Sequence, residues 1–376
     1  MAPHVLTVCS SQDLEAFINF PYVLYRNNPF WVPPLKQQER ELLSPGLHPF
    51  WNTAEQKLFI IKRNDRVIGR IAAIVDYKYN EYANEDCGAF GFFECEEDSA
   101  AAHALLDAAS NWLSTKGMRY MRGPVNPSTN YTCGLFIHGD TQPAIMMPYN
   151  FPYYQHLLES WHMHKEQDLF AYRINRHDLN IAPKIQEQIH LAAHNPQFTC
   201  RRADKRHLSE DIKTMLKLYR ESWAENWYFS PLSKAEEQKI VADLIDIIDT
   251  NFFVLFFHRN EAIAGMVALP DLTPFLKAIQ GNLSIAAPYA YFKTKKYFNR
   301  GLRIMLFGIK QEYRMFGLPA LLFNYMLDQA QKKSELEWVE GSWVLEDNLP
   351  ICELIEDFSG KISHRYRIYR KDIFYL

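Results

Sequence analysis

One order of elements occurs twice along this chain, and that repetition constrains its fold more than any other feature of the sequence. In the first half, apolar periodicity and turn residues predict a short strand at Val5–Val8 and a helix from Asp13 to Tyr25 capped by Ser11. Two strands follow, Lys57–Lys62 and Val67–Asp76, joined by a hairpin turn at Arg63-Asn64-Asp65-Arg66. Then come a buried strand Gly88–Cys95 and a helix Asp98–Lys116, capped by Asp98 or Ser99 and stopped by Gly117. Strands Leu135–His138 and Gln167–Ile174, with a short helix Tyr153–Ser160 between them, complete the half. The second half runs the same way: strand Thr199–Ala203, helix Asp211–Trp223, and strands Phe252–His258 and Ala262–Leu269 turning at Arg259-Asn260-Glu261. Strand Gly301–Ile309, helix Pro319–Lys333, strand Trp338–Trp343, short helix Pro350–Phe358 and strand His364–Arg370 follow. Only the order repeats, because residue identity between the halves is low. The expectation is a mixed α/β (α+β) protein of two lobes, 1–180 and 181–376, each a central mixed sheet flanked by helices. A polar helix at Pro183–Ala193 separates them.

Composition narrows the functional classes. A length of 376 residues suits two domains. A net charge of −3 gives no basic footprint, so nucleic acid is not an expected partner. The six cysteines form no CxxC pair and read as reduced thiols. His190 and His194 are spaced i, i+4 on the separating helix, but no third ligand lies near in sequence, and no metal is expected. No signal segment is apparent, and the apolar run 252–257 falls far short of the ~20 residues that span a bilayer. The expected location is therefore cytoplasmic.

The chemistry concentrates where the strand ending at Ile309 runs into the turn Lys310-Gln311-Glu312-Tyr313-Arg314-Met315-Phe316-Gly317-Leu318-Pro319 and a long helix. Backbone N–H groups at a helix start, bared where glycine removes side-chain bulk, suit a diphosphate. Pro319 fits the first helical turn, where its missing N–H is not needed. This strand–R-x-x-G-x-(G/A)–helix arrangement resembles the GNAT acyltransferases, with Arg314, Gly317 and Pro319 at the three motif positions and Pro where Gly or Ala is usual. Downstream, Asn348, Ile351 and Leu354 resemble the N-x-x-A-x-x-L segment of that family, and Ile355 stands where a general-acid Tyr often follows. Together with Asn28-Pro29-Phe30-Trp31, the run 122–130, and Met146-Met147-Pro148-Tyr149-Asn150, the chain is similar to a bacterial family of tandem GNAT proteins. Some of its members are linked to N-acylation of sphingoid bases in ceramide formation.

The resemblance implies two tandem GNAT-like lobes, with acetyl-CoA or a longer acyl-CoA as co-substrate and no metal. Ile309, Lys310, Arg314, Met315, Phe316, Gly317, Leu318, Pro319 and Asn348 would bind it. An acyl thioester donor and an amine acceptor are the implied partners, the acceptor ranging up to a sphingoid base. The alternative is an inactive tandem GNAT fold serving as an acyl-CoA-binding or regulatory module. In the N-terminal lobe, Glu96-Glu97-Asp98 at the corresponding loop would repel a diphosphate, so that lobe is expected on the acceptor side. Its polar run 122–134 and the following Met146–Tyr154 supply the candidate substrate residues Asn126, Asn130 and Tyr149. The aromatic cluster 223–229 supplies Asn226 and Trp227. Glu94 is a candidate base and Tyr313 a candidate acid. A basic, aromatic stretch, 272–300, leaves a membrane surface at the inner face or an acyl carrier protein open as a further partner.

Overall fold

The computed structural model describes residues 3–373. Two compact units emerge: unit 1 comprises Met1–Leu169, Ile279–Ile285 and His364–Leu376, and unit 2 comprises Phe170–Ala278 and Ala286–Ser363.

Unit 1 begins with β1 (His4–Thr7), α1 (Ser11–Leu24), α2 (Lys36–Leu42), β2 (Ala54–Arg63), β3 (Arg66–Asp76) and α3 (Tyr77–Ala83). It continues with β4 (Cys87–Cys95), α4 (Ser99–Thr115), β5 (Tyr120–Gly123) and two short strands, β6 (Val125–Asn126) and β7 (Thr132–Cys133). β8 (Leu135–His138), α5 (Tyr154–Ser160) and the start of β9 (His164–Asn175) follow. Unit 2 takes the rest of β9, then α6 (Pro183–Ala193), β10 (Phe198–Arg202), α7 (Leu208–Trp223), α8 (Lys234–Leu244), β11 (Phe253–His258) and β12 (Glu261–Pro270). After α9 (Thr273–Ile279) and α10 (Ala287–Thr294) come β13 (Gly301–Ile309), α11 (Leu318–Gln331), β14 (Trp338–Leu345) and α12 (Leu349–Asp357). β15 (Lys361–Asp372) starts in unit 2 and ends in unit 1.

The two sheets share one logic. In unit 1, β1 to β4 pair antiparallel in sequence order, and β4 then pairs β5 in parallel. In unit 2, β10 to β13 do the same, and β13 pairs β14 in parallel. The hairpin turns fall where the sequence places them, with Asn64, Asp65, Arg259 and Asn260 all at positive φ. α1 is capped by Ser10 rather than Ser11, because Ser10 and Asp13 form a reciprocal capping box. Each unit buries its own core. Leu105, Leu106 and Ala109 of α4 pack on Ile71, Ala73 and Phe90 in unit 1, while Leu322, Phe323 and Met326 of α11 pack on Val254, Met266 and Ile304 in unit 2. Among the described residues no helix is long and apolar enough to cross a membrane.

Candidate functional site

In unit 2 the site begins with a parting of strands. β13 and β14 pair only from Gly301↔Trp338 to Ile304↔Gly341, although they run on to Ile309 and Leu345. At the same point the ladder to β12 shifts register: Val267 faces Leu306 and Ala268 faces Ile304, so Met305 is a bulged residue. A bulge sharpens local twist and re-aims the strand, which is how the pair comes to diverge. Arg303, almost fully buried, clips the strands together just before they part. Its Nε donates to Ser342 Oγ (2.9 Å) and its guanidinium to the Ser342 carbonyl (3.1 Å). Beside it, Glu340 is fully buried and accepts from Arg173 (2.8 Å), whose guanidinium lies 4.1 Å from the Trp338 ring centre.

Beyond the clip, Trp223 at the end of α7 donates its indole N–H to the Phe307 carbonyl (2.9 Å) and meets Trp343 edge-on at 5.6 Å. The ladder fixes a direction. The Lys310 N–H bonds the Ile263 carbonyl, and bonded pairs alternate along an antiparallel ladder, so Phe307, opposite Met266, turns its peptide groups away from β12. The N–H and C=O of one strand residue project to the same edge, so the Phe307 N–H also faces the parted strands. Phe307 and Trp223 were not singled out from the sequence; the aromatic cluster 223–229 carried the only signal.

The turn after β13 is itself wound. Gln311–Phe316 wind into a 3₁₀ helix, and Gly317, at φ +71°, starts α11 without a side-chain cap. A Cβ on Gly317 would sit 2.9 Å from the Gln188 carbonyl, so both conformation and space call for glycine. Ile309 and Leu318 are buried anchors, whereas Met315 is 92% exposed and Phe316 half-exposed. Lys310 donates its N–H to the Ile263 carbonyl, and its ammonium is held by Glu261 and Glu221, the bond to Glu261 above all keeping its pKa raised. Arg314 donates to the Ser222 carbonyl (2.9 Å), next to Trp223. Pro319 occupies the first turn of α11, and Asn348 precedes α12, its N–H bonded to the Leu345 carbonyl. The Tyr313 hydroxyl bonds His258 Nδ1 (2.8 Å). Asn226 and Trp227 lie in the turn after α7, where the Asn226 N–H bonds the Trp223 carbonyl and Trp227 packs on Tyr228.

Unit 1 parts its strands in the same way. β4 and β5 pair from Cys87↔Tyr120 to Ala89↔Arg122, and β4 then runs on to Cys95 without β5. Here the β6–β7 hairpin enters the opening. Asn126 Oδ1 accepts from the Phe92 N–H (2.6 Å), with Phe92 at φ +49°. A Cβ on Gly91 would sit 1.7 Å from the Val125 carbonyl, so the hairpin backbone lies directly against β4. In the polar run 122–134, Ser128 and Thr129 are buried, and the Asn130 N–H bonds Ser128 Oγ. The acidic start of α4 is also occupied. Asp98 caps the helix and pairs with Arg63, and Glu96 pairs with Arg66.

Glu94 sits near the end of β4 and accepts from the hydroxyls of Tyr25 and Tyr154, both at 2.6 Å. Burial pushes its carboxyl above the usual range, against the opposing pull of Arg70 and the two tyrosine bonds. The Tyr25 ring also lies 5.9 Å from that of Tyr149, whose hydroxyl accepts from Asn28 (2.9 Å). Glu94, Asn126 and Tyr149 therefore share one neighbourhood of unit 1, and Tyr313 through Pro319 gather at the α11 end of unit 2. Among the described residues, no group of three or more His, Cys, Asp or Glu side chains could hold a metal ion.

No protein-family model matches the sequence. The chain is 29% identical over 384 residues to protein YghO of Escherichia coli, covering 98% of this chain and 95% of that protein. It is 28% identical over 377 residues to the bacterial ceramide synthase of Caulobacter vibrioides, covering 98% and 97%. The structure resembles a tandem GNAT protein from the clavulanic acid biosynthesis pathway along the whole of both chains, with a TM-score of 0.56 at 9% identity. The fold of the chain is that of a tandem GNAT protein.

Proposed function

We propose that this chain is an N-acyltransferase that moves an acyl group from a CoA or acyl-carrier thioester to an amine, with the donor in the β13–β14 opening. The observation that carries this reading is the Phe307 edge, a peptide N–H turned toward an opening that no described strand fills. A thioester carbonyl along that edge would gain a hydrogen bond that strengthens as its oxygen becomes negative in the tetrahedral intermediate. The diphosphate would reach the Lys310–Pro319 turn, where Arg314 and the uncapped start of α11 suit an anion. Ile309, Lys310, Met315, Phe316, Gly317, Leu318 and Asn348 complete the proposed donor set. A neutral amine attacks the carbonyl carbon, the C–S bond breaks, the thiolate takes a proton, and the nitrogen loses one as the amide forms. Glu94 is the proposed base and Tyr313 the proposed acid, each already hydrogen-bonded within its own unit.

The acceptor we propose is a long-chain amine such as a sphingoid base. The relative named bacterial ceramide synthase supports this, since a ceramide is the amide of a fatty acid with such a base. Asn126, Asn130, Tyr149, Asn226 and Trp227 are the proposed acceptor residues. A second reading, an inactive acyl-CoA-binding module, is favoured by Ile355, which is 1% exposed and packed in the unit 2 core where a general-acid Tyr would stand in the resembling family. Incubating the protein with acyl-CoA and acyl-carrier thioesters against sphingoid bases and soluble amines, with mass spectrometry of products, separates the two. Amide product with released thiol supports transfer. Saturable thioester binding without product from any acceptor supports the module, and no thioester binding at all removes both.

A further inference from the structure

The segment between β12 and β13 carries an exposed apolar face edged with lysines. α10 buries Ala287 and Thr294 and turns Tyr289 and Phe292 outward, 71% and 65% exposed. Three residues apart on a helix, these two side chains stand as neighbours. Four residues before Tyr289, Ile285 is fully exposed. Large apolar side chains left singly in water are ordinary, but three within eight residues are a patch. Lys293, Lys295 and Lys296 flank it, all exposed and none in an ion pair with a described residue. Lys295 Nζ lies 4.8 Å from the Phe292 ring centre, and Lys296 Nζ 4.8 Å from that of Tyr297. Arg300, by contrast, is tied to Glu337 at 3.3 Å.

We propose that α10 and the turn after it dock on an anionic phospholipid surface. Ile285, Tyr289 and Phe292 enter the headgroup boundary, and Lys293, Lys295 and Lys296 meet lipid phosphates. The charge complementarity is local, since the chain as a whole carries a net charge of −3. An acidic carrier protein would satisfy the lysines as well, but a fluid apolar boundary also takes up a branched and two aromatic side chains without a preformed groove. Burial of Ala287 and Thr294 on the other face keeps the outward side chains presented. Docking there would let the protein collect an amine too apolar to dissolve, which deepens the acyl-transfer reading but does not depend on it.

Co-sedimentation of the full chain with phosphatidylcholine vesicles, with and without phosphatidylglycerol, tests the proposal. Wild type should bind the mixed vesicles at low salt and release from them at high salt. Lys293→Gln/Lys295→Gln/Lys296→Gln should bind the mixed vesicles roughly a hundredfold less tightly. Ile285→Ser/Tyr289→Ser/Phe292→Ser should lose binding at any salt. These six side chains are exposed, so melting temperatures and CoA-thioester binding should not change in either variant, which separates this outcome from failure of the acyltransferase reading. Wild type ignoring mixed vesicles at low salt would overturn the proposal. So would binding that survives both triple variants, or capture of an acidic acyl carrier protein in place of vesicles.

Discussion

In unit 1, β4 and β5 run parallel from Cys87↔Tyr120 to Ala89↔Arg122 and then part; in unit 2, β13 and β14 do so from Gly301↔Trp338 to Ile304↔Gly341. Into the first opening the chain inserts its own β6–β7 hairpin, with the Val125 backbone on Gly91 and Asn126 on the Phe92 N–H. At the second it places only side chains, Trp223 and Trp343, and turns the Phe307 N–H to the open edge. Peptide groups freed by parting strands must find partners. Unit 1 supplies a partner from its own sequence, Asn126 for the Phe92 N–H, while in unit 2 no described strand pairs with β13 beyond Ile304 on the β14 side. The architecture is common to both, and what lies against the parted strand differs.

Single-atom additions should break this comparison most sharply. Gly91→Ala puts a methyl where the Val125 carbonyl already is, and should cost about 3 kcal/mol of stability. Gly308→Ala, on β13, meets its nearest atoms only at 3.3 Å and should stay within about 1 kcal/mol. Chemical denaturation of both variants checks the contrast; equal tolerance would mean that the hairpin is not wedged against β4.

Next in size, Arg314→Ala and Gly317→Glu should weaken CoA-thioester binding by about 1–3 kcal/mol, through a lost charge-assisted bond and an added like charge. Wild-type calorimetry should give one equivalent per chain. Two equivalents would reopen unit 1 as a site, and unchanged affinity in both variants would remove the turn from the donor set.

The smallest effect concerns Glu94, whose folded pKa is raised by burial. A carboxyl that holds its proton more tightly in the folded state contributes most below its unfolded pKa, near 4.3, and that contribution is lost as pH rises toward the folded value. Glu94→Gln should therefore gain on wild type in thermal stability as pH climbs from about 4 upward. If catalysis falls in this variant while donor binding holds, the carboxylate also serves as base. A melting difference independent of pH would show that Glu94 titrates alike in both states.

What could be read from the sequence followed from short-range chemistry. The two hairpin turns, the helix Pro183–Ala193 and the strands Leu135–His138 and Gly301–Ile309 are all set by local turn residues and apolar runs, and the structure has these elements where expected. Asn126 shows the limit. Among Gly123, Pro124, Pro127 and Ser128 it reads as loop, yet its side chain bonds Phe92, a residue 34 positions away. Glu94 likewise depends on Tyr25 and Tyr154, 69 and 60 positions off, which no window of sequence brings together. The helices α2, α3 and α8 escaped notice. α2, for one, is seven residues with none buried, so it leaves little apolar rhythm to find. Trp223 belonged to a cluster already noted, but the strand bulge that gives it Phe307 as a partner has no sequence signature.

One strand carries a consequence for how the protein is made. β15 supplies the neighbour of β5, with Tyr369 beside Gly123 and Asp372 beside Tyr120. During synthesis, residues through 372 must therefore clear the ribosome before the strand laid down near residue 120 gains its second partner. Unit 1 begins first and is completed last, so an early stop in the message would leave both ends of the chain unfinished.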